Sequence, residues 1–146
     1  MKYLFKKIIS LIFFKISFLK KIGNISYKKQ INLKKGDKIL LLIDDNDFIH
    51  LGDSLFFEPI ANYFSCLGYT INISCIKQMN YYFKKSSHKI VKNYNLDDFD
   101  FIITSNDFII KTFPYENTIF INTNFYRSTK RIINYTLDSF NKLFNI

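Results

Sequence analysis

The stretch KILLLIDDNDFIHLGDSLFFEPIANYFSCLGYTINI, residues 38–73, decides the fold. It opens with KILLLID, a short continuous apolar run ending in acid, which is the pattern of a strand covered on both faces within a parallel sheet. In residues 53–68, DSLFFEPIANYFSCLG, Leu55, Phe56, Ile60, Tyr63, Phe64 and Leu67 recur at helical spacing, and Gly68 supplies the stop. Pro59 would remove a hydrogen bond from a helix interior, so the helix either begins near Glu58 or kinks there. Residues 69–76, YTINISCI, alternate and are rich in β-branched side chains, which predicts a second strand. Strand, helix, strand is the unit of a parallel sheet, with a right-handed crossover expected.

Working outward, residues 77–96 are rich in Lys and Tyr with weak periodicity, which predicts a loop or an irregular helix. The run YYFKK at 81–85 reads as a partly buried surface segment. LDDFDFIITS (96–105) predicts a third strand centred on Phe101–Thr104, and TIFINT (118–123) a fourth. YRSTKRIINYTLDSFNKLF (126–144) predicts a closing helix with Ile132, Ile133, Leu137, Phe140 and Phe144 on its apolar side. The alternation defines an α/β chain with an open, mostly parallel sheet flanked by helices. Ligands of such sheets sit outside the carboxyl ends of the strands. That edge carries Asp44, Asp45, Asp47, His50, Gly52 and Asp53 after the first strand.

A chain of 146 residues suffices for one compact domain with a core, and its 48% of apolar residues rules out a largely disordered polymer. The formal charge of +9 is unevenly placed. Residues 1–36 hold ten Lys and no acid, whereas residues 37–146 hold eleven Lys and Arg against twelve Asp and Glu. A nucleic-acid reader would carry its basic patch on the folded part beside stacking aromatics, and that pattern is missing. Cys66 and Cys75 form no CxxC and have no nearby His pair, so they read as buried thiols, one in the helix and one in the second strand.

The opening MKYLFKKIISLIFFKISFLKKI, residues 1–22, is interrupted by Lys15 and falls short of the roughly 20 apolar residues a bilayer span needs. No small-x-small cleavage site follows it, which argues against a secretory signal. On a helix its remaining lysines gather on one side, opposite Leu4, Phe5, Ile8, Leu11, Ile12 and Ile16. Two readings fit: an interfacial helix on the anionic inner face of the cytoplasmic membrane, or an amphipathic helix packed on the domain's own core. Residues 23–37, polar and with two Gly, read as a linker, so the domain is expected over 38–146.

The letters GDSL at 52–55 also name a family of serine esterases, in which Ser54 would be the nucleophile. Such a Ser needs a His base oriented by a carboxylate. Only His50 and His88 are present, neither lies in a carboxyl-terminal DxxH motif, and the esterase is the least favoured of the readings. His50 with Asp44, Asp45 and Asp47 reads as a hydrogen-bonded turn rather than a metal site.

Residues 38–73 are similar to the start of the lipopolysaccharide heptosyltransferase family, the ADP-heptose-dependent glycosyltransferases. The similarity lies in a strand followed by Gly52 and Asp53, then apolar residues and Pro59, then a helix and a second strand. DDFDFIITS resembles the family's YDxVID strand, and the helix from Tyr126 resembles the one that closes its amino-terminal domain. The resemblance implies a Rossmann-like, acceptor-side half of a two-domain B-type glycosyltransferase of lipopolysaccharide or cell-envelope polysaccharide synthesis. It implies Asp53 as general base toward an acceptor hydroxyl, with Gly52, Ser54 and His50 beside the substrate. Gly52 would let the backbone approach the substrate closely. A nucleotide-sugar donor would be a substrate rather than a resident cofactor, a glycan or lipid-linked acceptor its partner, and no metal is expected. The donor-binding half has no counterpart in these residues, since no G-x-G-x-x-G or P-loop occurs, so they are expected to be incomplete as an enzyme: a truncated or split product, a subunit completed by a second chain, or a domain retained for binding. Two other assignments stay open. Asp53 suits the N-cap of the following helix, and the whole chain suits a non-catalytic, membrane-associated α/β binding module.

Overall fold

The computed structural model of the chain describes residues 20–27, 31–43, 56–75, 83, 88–105, 117–121 and 132–145. They form one seven-stranded sheet and two α-helices. The strands are β1 (Lys20–Ile22), β2 (Ile25–Tyr27), β3 (Lys38–Leu42), β4 (Thr70–Ser74), β5 (Lys89–Ile90), β6 (Phe101–Thr104) and β7 (Thr118–Ile121). The helices are α1 (Phe57–Cys66) and α2 (Ile132–Phe144), with a 3₁₀ turn at Leu96–Asp98.

The strands lie in the order β1-β2-β7-β6-β3-β4-β5. β5, β4, β3, β6 and β7 are mutually parallel, and β2 and β1 extend the sheet antiparallel beyond β7. Among the parallel strands, chain order runs outward from β3 first to one side and then to the other, an arrangement compatible with a Rossmann-like fold. The expected α/β class and mostly parallel sheet are therefore present, and β3, β4, β6 and β7 fall where the apolar runs predicted them.

Period-two alternation sorts the strand residues between two faces. Ile39, Leu41, Ile43, Ile71, Ile73, Phe101, Ile103, Ile119 and Ile121 share one cluster with Phe57, Ile60, Ala61 and Phe64 of α1 and Phe140 and Leu143 of α2. Both helices thus pack on the same face. Phe64 is their common anchor, its ring meeting Phe140 at 5.0 Å, Phe144 at 5.9 Å and Phe101 at 6.5 Å between centroids. On the opposite face Leu40, Leu42 and Ile102 are covered, among the described residues, by Val91, Tyr94, Leu96 and Phe99.

α1 begins at Phe57, so Pro59 stands in the first turn, where its missing N–H has no intrahelical partner to lose. The helix ends in a Schellman arrangement: Gly68 N–H donates to Ser65 O and Tyr69 N–H to Phe64 O, with Gly68 at φ +88°. The rings of Phe64 and Tyr69, 6.1 Å apart, supply the apolar contact that accompanies this motif. Tyr63 O–H donates to Asn141 Oδ1, joining α1 to α2. Burial of the Tyr63 phenol, with Tyr69 nearby, raises its pKa above the ordinary value.

Three expectations are corrected. Residues 23–37 are not a free linker: Ile25 and Tyr27 are buried in the core and β2 pairs with β7. Lys20–Ile22, assigned to the end of the amino-terminal helix, is strand β1, because its backbone pairs with β2 in a hairpin turned at Gly23 and Asn24. Cys66 is exposed rather than buried, since it lies two residues past Phe64 and the helix turns it away from the sheet; Cys75 is half-buried against the core. Phe83, the one described residue of the run expected to be partly buried at 81–85, is fully buried in the helix-side cluster. Residues 1–19, which carry most of the basic amphipathic segment, lie outside the described residues.

The hairpin is locked to α2 by polar contacts under complete burial. Asn24 Nδ2 donates to Thr136 Oγ1 at 2.7 Å, and the Ser139 hydroxyl shares its hydrogen between Tyr135 O at 2.8 Å and Asn24 Oδ1 at 3.3 Å. Gly23, at φ +57°, leaves room for Ser139: a Cβ at Gly23 would stand 2.1 Å from the Ser139 hydroxyl. No helix among the described residues is long and apolar enough to cross a membrane.

Candidate functional site

The carboxyl edge of the parallel strands is built from Ile43, Cys75, Ser105 and Ile121, each at or just beyond the end of its strand. Direction reverses between β3 and β6, so these two strands flank the topological switch point. Leu42 pairs with Ser74 on one side and Thr104 on the other, and Thr104 pairs with Phe120, which forms one row across the sheet. Within that row the Thr104 hydroxyl donates to the carbonyl of Leu42 at 2.9 Å. Ile43 N–H donates to Ser74 O at 2.9 Å, so β3 stays paired with β4 one residue past the strand end.

α1 runs antiparallel to these strands. Its last turn packs beside Phe101, the first residue of β6, so its first turn lies toward the carboxyl edge. The connection from Ile43 to Phe56 therefore leaves β3 at the switch point and enters α1 toward the same carboxyl edge. It carries His50, Gly52, Asp53 and Ser54, and all four lie outside the described residues, as do Asp44, Asp45 and Asp47. The N-cap position of α1 belongs to Phe56, which makes no side-chain capping bond, and the expected capping role of Asp53 lies outside the described residues. Glu58 in the first turn complements the positive end of the helix.

His88 is buried, and its Nε2 lies 3.0 Å from Asn62 Oδ1 in the middle of α1. Burial lowers its pKa below the ordinary histidine value, against an opposing pull from the carboxylate of Glu58. It pins the β5 side of the sheet to α1 and stands away from the switch point. Sequence periodicity gave no sign of it, because its partner comes from a helix 26 positions earlier.

Among the described residues no group of three His, Cys, Asp or Glu side chains gathers as a metal site would require. The described surface does contain an open depression of about 270 Å³ at the opposite, amino edge, lined by Ile31, Leu33, Tyr69, Leu143 and Phe144 together with Asn32 and Asn145. Burial and the neighbouring Asp37 carboxylate raise the pKa of the Tyr69 phenol, so this rim is neutral at Tyr69.

No family model, curated protein or solved structure matches the chain. The architecture at the switch point and the chemistry of the connection between β3 and α1 are accordingly what bear on function.

Proposed function

We propose that the chain is the acceptor-side α/β domain of a glycosyltransferase acting in lipopolysaccharide or cell-envelope polysaccharide synthesis, held peripherally on the inner face of the cytoplasmic membrane. The observation that carries this reading is the switch point between β3 and β6, from which the connection bearing Gly52 and Asp53 departs. Asp53 is assigned the role of general base. A sugar hydroxyl attacking an anomeric carbon must lose a proton as the new bond forms, and a carboxylate within hydrogen-bond reach accepts it. Gly52 is assigned close backbone approach, with Ser54 and His50 as hydrogen-bonding partners of the acceptor. The donor is a nucleotide-sugar, bound by a second Rossmann-like domain.

The test is sugar transfer by the purified chain, with and without the product of the adjacent reading frame, comparing the native chain with Asp53→Asn. The reading expects transfer only with both chains present and a loss of two or more orders of magnitude in the variant. Ester hydrolysis abolished by Ser54→Ala would support the esterase instead. Neither transfer nor acceptor binding under any condition would leave a non-catalytic membrane-associated module.

A further inference from the structure

The amino edge of the sheet differs in character from the carboxyl edge. Lys20 pairs with Tyr27, and Tyr27 with Ile119 near the start of β7, so β1 begins at the amino edge. The amino-terminal segment, residues 1–19 with its lysine-rich composition, joins the fold there. Tyr27 faces the helix side, and pairing puts Lys20 on that side too. Lys34 and Lys35 lie in the exposed turn before β3, with the Lys35 stem running over Gly68 at the end of α1. Lys142 stands exposed in the last turn of α2, next to Leu143 and Phe144 of the depression.

Acidic groups are also present on the helix side: the Asp37 carboxylate stands near Tyr69 of the depression, and Asp138 is exposed one helical turn before Lys142. The Asp37 carboxylate accepts the Lys34 N–H at 2.8 Å within its own turn. Asp100 accepts the Lys38 N–H at 2.7 Å. Asp97 and Asp98 sit between Leu96 and Phe99, which pack on the opposite face of the sheet. On the helix side, exposed Lys34, Lys35 and Lys142 adjoin in sequence the residues of a depression whose walls include Leu33, Phe144 and Tyr69, and outnumber the acids beside them.

We propose that the amino edge of the sheet, on its helix side, is the surface by which the chain docks on an anionic lipid bilayer, through Lys20, Lys34, Lys35 and Lys142. The inference rests on the peripheral-membrane reading above and adds an orientation to it. Lysines near an anionic surface attract it individually and additively, while Tyr69 and Phe144 suit the headgroup boundary. A parallel strand of five residues rises about 16 Å, so the carboxyl edge stands on the order of 15–20 Å above the lipid surface. A site at that height suits an acceptor sugar extended from a lipid anchor rather than a group at the headgroup level.

Exposed Cys66, at the amino-edge end of α1, is a native reporter. The full chain carrying Cys75→Ser is labelled at Cys66 with an environment-sensitive fluorophore and mixed with phosphatidylglycerol or phosphatidylcholine vesicles containing a lipid-borne quencher. A second protein carries Cys66→Ser, Cys75→Ser and Ser105→Cys, which moves the label to the carboxyl edge. Binding itself is read by co-sedimentation. The expected result is binding to phosphatidylglycerol vesicles only, strong quenching at position 66 and little at position 105. Lys34→Gln with Lys35→Gln is expected to weaken binding on the order of tenfold. Binding with quenching at position 105 equal to or above that at 66, or binding unchanged in the double lysine variant, overturns the orientation while leaving the peripheral reading intact. No binding to phosphatidylglycerol vesicles overturns both.

Discussion

The hydroxyl of Thr104 donates to the carbonyl of Leu42 at 2.9 Å, tying the carboxyl ends of β6 and β3 at the point where strand order reverses. Thr104 is fully buried and Leu42 nearly so, so the bond is made out of water. It holds the two strands that flank the departure of the connection carrying Asp53. Thr104→Val keeps the shape and removes the donor. It is expected to lower stability by about 1 kcal/mol, read as a reduced urea midpoint at unchanged slope. An unchanged midpoint would mean that the switch point is held by the ladder alone.

The Gly23 hairpin is expected to be indispensable to the domain. Gly23→Ala forces a side chain into a left-handed φ and to 2.1 Å from the Ser139 hydroxyl. A loss of about 2 kcal/mol or more is expected from overpacking and strain together, measured by chemical denaturation. Adding Ser139→Ala should recover part of that loss but not the part due to φ. If Gly23→Ala were neutral, residues 23–27 would behave as part of the linker that the composition of residues 23–37 suggests.

Phe64 is the aromatic hub between α1, α2 and β6, and its ring is fully buried. Phe64→Ala should cost about 3–5 kcal/mol, enough to leave a domain of this size largely unfolded at 37 °C by circular dichroism. Phe64→Leu, which keeps most of the volume, should remain folded.

How much of this was legible in the sequence follows from element length. β3, β6 and β7 are largely apolar runs of four or five residues and β4 a five-residue alternation, and each stands out from its flanks. β1, β2 and β5 are two or three residues long, too short for any periodicity to show. One signal for the hairpin was present: Lys-Lys-Ile and Ile-Ser-Tyr are separated by Gly23 and Asn24, the two-residue spacing of a tight turn. The lysines around it outweighed that signal. α1 stops where Gly68 predicts and starts at Phe57, beside Glu58, the first of the two alternatives that Pro59 allows. The candidate site was legible as residue types on one connection, and its geometry belongs to residues outside those described.

His88 gives the domain a pH dependence of stability. Its folded-state pKa is lowered, so the unfolded chain binds more protons between the two pKa values, and stability rises with pH across that window. Starting from neutral pH, stability should hold until about pH 6.5, the ordinary histidine value, and then fall as acid protonates the unfolded state preferentially. His88→Gln, which can keep a hydrogen bond to Asn62, should flatten the profile between pH 7 and pH 5 in thermal melts. A profile identical to that of the native chain would place the acid sensitivity elsewhere.

The claim that the carboxyl edge beside Asp53 receives a sugar acceptor is tested most directly by mapping backbone amide shifts during titration with a lipopolysaccharide core oligosaccharide. Perturbations confined to Ile43, Phe56, Cys75, Ser105 and the connection between β3 and α1, and lost in Asp53→Asn, are the predicted result. Perturbations centred instead on Tyr69 and Leu33 at the amino edge, or none at saturating oligosaccharide, would contradict it.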